Sequence, residues 1–168
     1  MYRSKGGEGD MSIYKDIQDA FILLPYKYYK LILLVGPIGS GKTKLLKKIS
    51  ADYNYDYINV NLQLSEKLIN IPFEERCYYV DDFMEEILSQ SKTDVTILDN
   101  IEILFAPHLK IDPLKMLKNM SRYKKIIASW GGSYINGILT YAEPGYPEYR
   151  RYKKDDLDII VINVEGGR

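Results

Sequence analysis

The stretch Leu31-Ile-Leu-Leu-Val-Gly36-Pro-Ile-Gly39-Ser-Gly41-Lys42-Thr43 decides how this chain is read, because an apolar run leads straight into the spacing G-x-x-x-x-G-K-[ST]. The unbroken apolar residues 31–35 suit a strand buried on both faces, and Leu45, Leu46 and Ile49 recur at helical spacing just beyond the motif. Glycines let the intervening backbone curl with its N–H groups inward, and the following helix turns its positive end toward the same point. A polyphosphate fits that nest. Gly36, Pro37, Ile38, Gly39, Ser40, Gly41, Lys42 and Thr43 are therefore the candidate binding residues. Lys42 reaches the β- and γ-phosphates as a point charge, and the Thr43 hydroxyl supplies an oxygen ligand to Mg²⁺.

Such a site needs a second magnesium ligand, and Val95-Thr-Ile-Leu-Asp99-Asn100 offers an apolar strand that ends in an acid. Asp99 would hold Mg²⁺ through water at the carboxyl end of a parallel strand, where open α/β sheets bind ligands. The plainer alternative is an aspartate that only caps the next turn. Asn100 occupies the place where many ATPases of this kind carry a glutamate. An amide positions water but does not take its proton at neutral pH. Glu102 is the nearest other carboxylate, so the residues argue for ATP binding more strongly than for hydrolysis.

The 168 residues make one domain, with residues 1–10 a polar, glycine-rich, disordered tail and residues 11–168 a single P-loop nucleotide-binding unit. With 23 basic and 23 acidic side chains the net charge is zero, which gives no argument for nucleic acid or for an acidic membrane. Direct DNA contact is left without support. The lone Cys77 forms no internal disulfide, one His108 completes no zinc set, and Cys77 reads as core on a helix. No apolar run approaches the roughly 20 residues of a membrane span. A soluble, cytoplasmic protein is the expectation.

Alternating elements indicate a mostly parallel sheet of about five strands, covered by helices on both faces. A helix capped by Ser12 runs to about residue 24, before Pro25. Strands are expected at 31–35, 57–62, 96–99, 125–129 and 157–164, and helices after the loop, over 73–90, and from Asp112-Pro113 onward with the acid as cap. The fold class is thus an α/β P-loop NTPase, a three-layer α/β/α sandwich of the additional-strand type that includes AAA+ cores, without their helical lid. Ser129 ends the strand after the one bearing Asp99, and in additional-strand ATPases a polar residue there senses the γ-phosphate. A hydroxyl bonded to local backbone is the alternative. The segment at 141–152, rich in tyrosine and proline and ending Tyr149-Arg150-Arg151-Tyr152, suits a partner surface or a solvated loop.

Together these motifs resemble the BrxF family, the small P-loop proteins of type III bacteriophage-exclusion (BREX) phage-defence systems. The likeness rests on GPIGSGKT at 36–43, NLQLSEKL at 61–68, LDNIEILF at 98–105, KIDPL at 110–114, and the run from Ala-Ser-Trp-Gly-Gly-Ser-Tyr through TYAEPGYPEYRRY at 128–152. It covers about residues 31–152, and LDNIEILF with the later EPG-x-PEYR is far more specific than the loop motif. The resemblance implies an antiviral operon whose other products are a DNA methyltransferase, a phosphatase-like protein and a large ATPase. It also implies that Asn100 is a family trait.

Two functions follow from this reading. One is a weak or partner-stimulated ATPase or nucleotide switch that forms homo-oligomers and serves the defence complex. The other is a nucleotide-binding scaffold without turnover. In AAA+ assemblies an arginine supplied by a neighbouring subunit comes from just before the last core strand, which makes Arg150 and Arg151 the candidates here. Pairing with Glu148, Asp155 or Asp156 is the alternative.

Overall fold

The structure is a computed structural model that describes residues 5–164. Every residue of β1 (Leu31–Val35) is at most 1% exposed, so the strand has neighbours on both edges and cover on both faces. The chain builds around it in the order α1 (Lys5–Leu23), β1, α2 (Lys42–Tyr53), β2 (Asp56–Asn59), α3 (Val60–Leu68), α4 (Val80–Ser89) and β3 (Val95–Asp99). Then come α5 (Pro113–Met120), β4 (Lys125–Trp130), β5 (Gly132–Ile135), β6 (Ile138–Tyr141), β7 (Arg150–Lys153) and β8 (Ile160–Asn163). The main sheet has the order β2-β3-β4-β1-β8, and all of its pairings are parallel.

Period-two alternation sorts the side chains onto two layers. Leu31, Leu33 and Val35 of β1 pack with Leu98, Ile126, Ala128 and the helices α3 to α5. Ile32 and Leu34 point the other way, to Ile97, Ile127, α1 and α2. The result is the three-layer α/β/α sandwich expected. Asp112 caps α5, its Oδ1 accepting from Lys115 N–H at 3.2 Å, also as expected.

Local boundaries depart from the sequence reading in four places. Helix α1 starts at Lys5, so residues 5–10, read as tail, are helical; residues 1–4 lie outside the described residues. The strand expected over 57–62 ends at Asn59, whose side chain accepts from Leu62 N–H and opens α3. The helix expected over 73–90 is a 3₁₀ segment, Phe73–Tyr78, followed by α4, and Cys77 is half-buried on the former instead of core. The last strand is shorter than 157–164, because Leu157 ends a 3₁₀ turn. Among the described residues no helix is long and apolar enough to cross a membrane.

A second sheet, antiparallel and ordered β5-β6-β7, fills the stretch between the strands expected at 125–129 and 157–164, where none was expected and where 141–152 was read as a partner surface or a solvated loop. Asn136 and Gly137 both have positive φ, 52° and 76°, the backbone of a tight two-residue hairpin. This meander is fastened to the main core by Trp130, fully buried, whose indole Nε1–H donates to Thr140 O at 2.9 Å. Tyr141 stacks on Phe105 with ring centroids 3.5 Å apart. Gly132 makes the close approach possible: a Cβ there would lie 1.9 Å from Thr140 O, whereas one at Gly131 meets nothing nearer than 3.5 Å. Gly132→Ala should therefore cost about 3 kcal/mol in chemical denaturation, the scale of a forced backbone shift, and Gly131→Ala should be near neutral.

Candidate functional site

The loop after β1 is braced from both neighbours before it curls. Gly36 N–H donates to Trp130 O at 3.1 Å and Val164 N–H donates to Val35 O at 2.8 Å. Ser40 N–H turns back to Pro37 O at 3.1 Å, and the backbone then passes through positive φ at Gly39 (82°) and Gly41 (93°), which glycine adopts without strain. Gly41 is the N-cap of α2, so the helix begins at Lys42 with its free N–H groups facing the loop. Lys42 is 8% exposed, and its Nζ donates to Gly36 O at 2.5 Å, Pro37 O at 2.8 Å and Ser40 Oγ at 3.3 Å. The ammonium is held at the mouth of the nest, where phosphate oxygens can replace those carbonyls.

Asp99, at the end of β3, is 2% exposed and collects donors from three elements. Thr43 Oγ1 of α2 donates to its Oδ2 at 2.7 Å, Tyr57 OH of β2 to the same oxygen at 2.5 Å, and the N–H of Asn100 to Oδ1 at 2.9 Å. Burial alone would raise this carboxyl's pKa, but Tyr57, Ser129, Thr43 and the Asn100 amide outweigh it and hold the group below the usual carboxylate range. Ser129 Oγ is buried beside the same carboxylate, too poorly aligned to count as a hydrogen bond of ordinary geometry. Burial and the bond to Asp99 push the Tyr57 phenol well above its ordinary value, so it stays a proton donor.

Asn100 adopts left-handed backbone, φ 53° and ψ 56°, and its carbonyl accepts from Asn61 N–H at 3.0 Å. That turn starts the 3₁₀ segment Ile101–Phe105, which carries Glu102. A cleft of about 300 Å³ results, and Ile38, Gly39, Gly41, Lys42, Thr43, Lys44, Asp99, Asn100, Glu102 and Ser129 line it. The structure thus brings most of the residues expected at the site together, with Gly36, Pro37 and Ser40 contributing from behind through Lys42. Arg150 and Arg151 are not among the residues lining the cleft. Arg150 donates to Pro147 O at 3.3 Å and Tyr149 O at 2.9 Å, while Arg151 is exposed; neither pairs with an acid among the described residues. Tyr57 and Lys44 are additions that the motifs did not mark. Only the register of β2 on β3, with Asn59 beside Asp99, shows that Tyr57 reaches the carboxylate.

The donor set fits a triphosphate with Mg²⁺: inward N–H groups and two lysines at one end, a charged carboxylate beside a threonine hydroxyl at the other. Ser129 Oγ supports the fit, because a buried hydroxyl without a partner costs about 1–3 kcal/mol and is satisfied by a ligand oxygen in the same cleft.

A model of the ATPase family associated with various cellular activities (AAA) matches residues 32–124. The chain belongs to the AAA family. It is accordingly a nucleotide-binding protein of an ATPase family that uses Mg²⁺ as a rule, and its fold is the P-loop NTPase fold. The match takes in the phosphate loop and Asp99 and ends before β4, so Ser129 and the meander are read from this AAA chain's own geometry. Among solved structures, that of C. elegans PCH-2 is similar at a TM-score of 0.41 and 16% identity, over 97% of this chain and 44% of that one. The AAA chain thus spans less than half of that protein's length. No curated protein matches the sequence.

Lys42→Ala should abolish ATP binding measured by calorimetry, and unchanged affinity would refute the loop's role. Tyr57→Phe removes a donor to a charged, buried acceptor and should cost about 2 kcal/mol of stability at pH 7. Because the Asp99 pKa is depressed in the fold, that contribution is full above the unfolded carboxylate's value and is lost as pH falls through the folded one. Denaturation at neutral and strongly acid pH should therefore show the wild-type advantage shrinking on acidification.

Proposed function

We propose that this AAA chain is the ATP-binding subunit of an antiphage defence system of the type III BREX kind, slow as an ATPase alone and accelerated by its partners. The observation that carries the reading is Asn100, which stands beside Asp99 where a proton-accepting glutamate would otherwise face the cleft. Its amide orients water and leaves the proton in place. Among the described residues Glu102 is the other carboxylate lining the cleft besides Asp99, and it takes the role of base when a partner aligns it. Lys42 meets charge on the phosphates, and Thr43 with Asp99 organises the metal.

The defence role is supported by the resemblance of LDNIEILF and EPGYPEYR to the BrxF family, and the DNA methyltransferase, phosphatase-like protein and large ATPase of such operons are the partners it implies. Homo-oligomerisation is supported by the arginine pair just ahead of β8. Arg151 is the better placed of the two to serve a neighbouring subunit, since Arg150 is engaged by its own loop. A scaffold that binds nucleotide without turnover is the second reading, and Asn100 favours it too.

Phosphate release separates the two. The pure protein should turn over well below the roughly 10 per second of a typical enzyme, Asn100→Glu should raise the rate, and added operon partners should raise it further. Arg151→Ala should lower partner- or assembly-dependent turnover and leave nucleotide affinity unchanged. Typical turnover by the wild type alone refutes the role of Asn100, and no turnover with every partner present establishes the scaffold.

A further inference from the structure

The cleft lies at the carboxyl ends of the parallel strands. At their amino ends two segments far apart in sequence are locked together, Lys30 N–H donating to Ser121 O and Ile126 N–H to Lys30 O, both at 2.9 Å. The partners are Tyr26-Lys27-Tyr28-Tyr29-Lys30 and Lys118-Asn-Met-Ser-Arg122-Tyr123-Lys124-Lys125. They contain six cations, four tyrosines and no acid, a local excess in a chain whose net charge is zero.

These rings are not core. Tyr26 is 87% exposed, Tyr123 85% and Tyr28 57%. The Arg122 guanidinium sits between two of them, 5.0 Å from the Tyr28 ring centre and 5.3 Å from that of Tyr123, and Lys118 Nζ lies 4.6 Å over Tyr29. Several cations are engaged: Lys30 by Lys27 O, Lys118 by Asp156 O, Lys124 by Leu88 O and Ser91 O, and Lys125 by Asp94. Arg122 pairs with no acid among the described residues. Beside Tyr123 a groove of about 410 Å³ opens, with Leu88, Met120, Lys124 and one acid, Glu85, in its walls.

We propose that this face binds single-stranded nucleic acid, with bases stacked on Tyr26, Tyr28 and Tyr123 and phosphates met by Arg122 and Lys27. The alternation of exposed ring and cation matches the alternation of base and phosphate along a strand, and aromatic stacking tolerates any base. A duplex would use the cations and hide its bases from the rings. An acidic peptide would likewise leave the rings in water. The site is remote from the cleft and stands independently of the defence role.

The test is fluorescence anisotropy with a fluorescein-labelled oligothymidylate of about 20 nucleotides, the matching duplex and a polyglutamate competitor, over a salt series. The single strand should bind at least tenfold more tightly than the duplex, and polyglutamate should not displace it. Tyr28→Ala and Tyr123→Ala should each weaken it about tenfold, within the range for a lost stacking ring. Arg122→Ala should weaken binding and flatten its salt dependence. Tyr28→Phe and Tyr123→Phe keep the rings and should bind as wild type, which separates stacking from misfolding. No binding up to about 100 µM, the weak end of non-specific affinity, overturns the proposal. So do equal affinity for the duplex, displacement by polyglutamate, or alanine variants that bind as wild type.

Discussion

A carboxylate that is 2% exposed and still charged has to be solvated by the protein, and around Asp99 that requirement sets the arrangement of the whole upper face. Its donors come from α2, from β2 and from the turn that follows β3. Because β4 lies between β1 and β3, the bond from Thr43 to Asp99 reaches across a strand, and Ser129 of β4 is enclosed beneath it. The phosphate loop is thereby fixed against the sheet at two points: the strand ladder below it and the acid opposite. Replacing Asp99 by a neutral residue would remove the metal ligand and the fastening together.

How much of this was legible depended on whether a signal was local. The phosphate loop, the strand ending in Asp99, and the Asp112 cap are each written in a few adjacent residues, and each stands where the sequence puts it. Helix α3 was obscured because residues 57–62, in which Ile58, Val60 and Leu62 alternate with other side chains, read as one strand, although Asn59 is a helix cap and Val60, Leu64 and Leu68 follow at helical spacing. The meander had a signal that went unused, the Asn136-Gly137 pair between alternating segments. Other features are not local at all. That Tyr57 touches Asp99, or that the Tyr26–Lys30 and Ser121–Lys125 segments share a surface, follows from strand register and order, which single-sequence patterns do not contain.

The connection between the parallel strands β4 and β8 is ordinarily the work of a helix. Here the meander β5–β7 does it, closing over the sheet with Leu139, Tyr141 and Tyr152 packed against Trp130 and Phe105. Phe105 ends the 3₁₀ segment that carries Glu102, and Tyr141 pairs directly with Arg150. One stacked pair of rings therefore joins the residues nearest the cleft to the strand bearing the arginines.

The position of β1 also governs how the chain is made. Ile32 pairs with Ile127 on one edge and Ile160 on the other, so the strand most deeply buried in the product has no sheet partner until β4 is made and lacks its second until β8 follows. Ile127 follows Ile32 by roughly 95 residues, and at about 5–20 residues per second that wait lasts on the order of ten seconds. During it Leu31–Val35 is an unpaired apolar strand with β-propensity, and α1 and α2 are the local elements able to cover one face of it. Sheet closure thus trails the synthesis of β1 by that interval, and a nascent chain halted before β4 is the form most exposed to chaperones and to self-association.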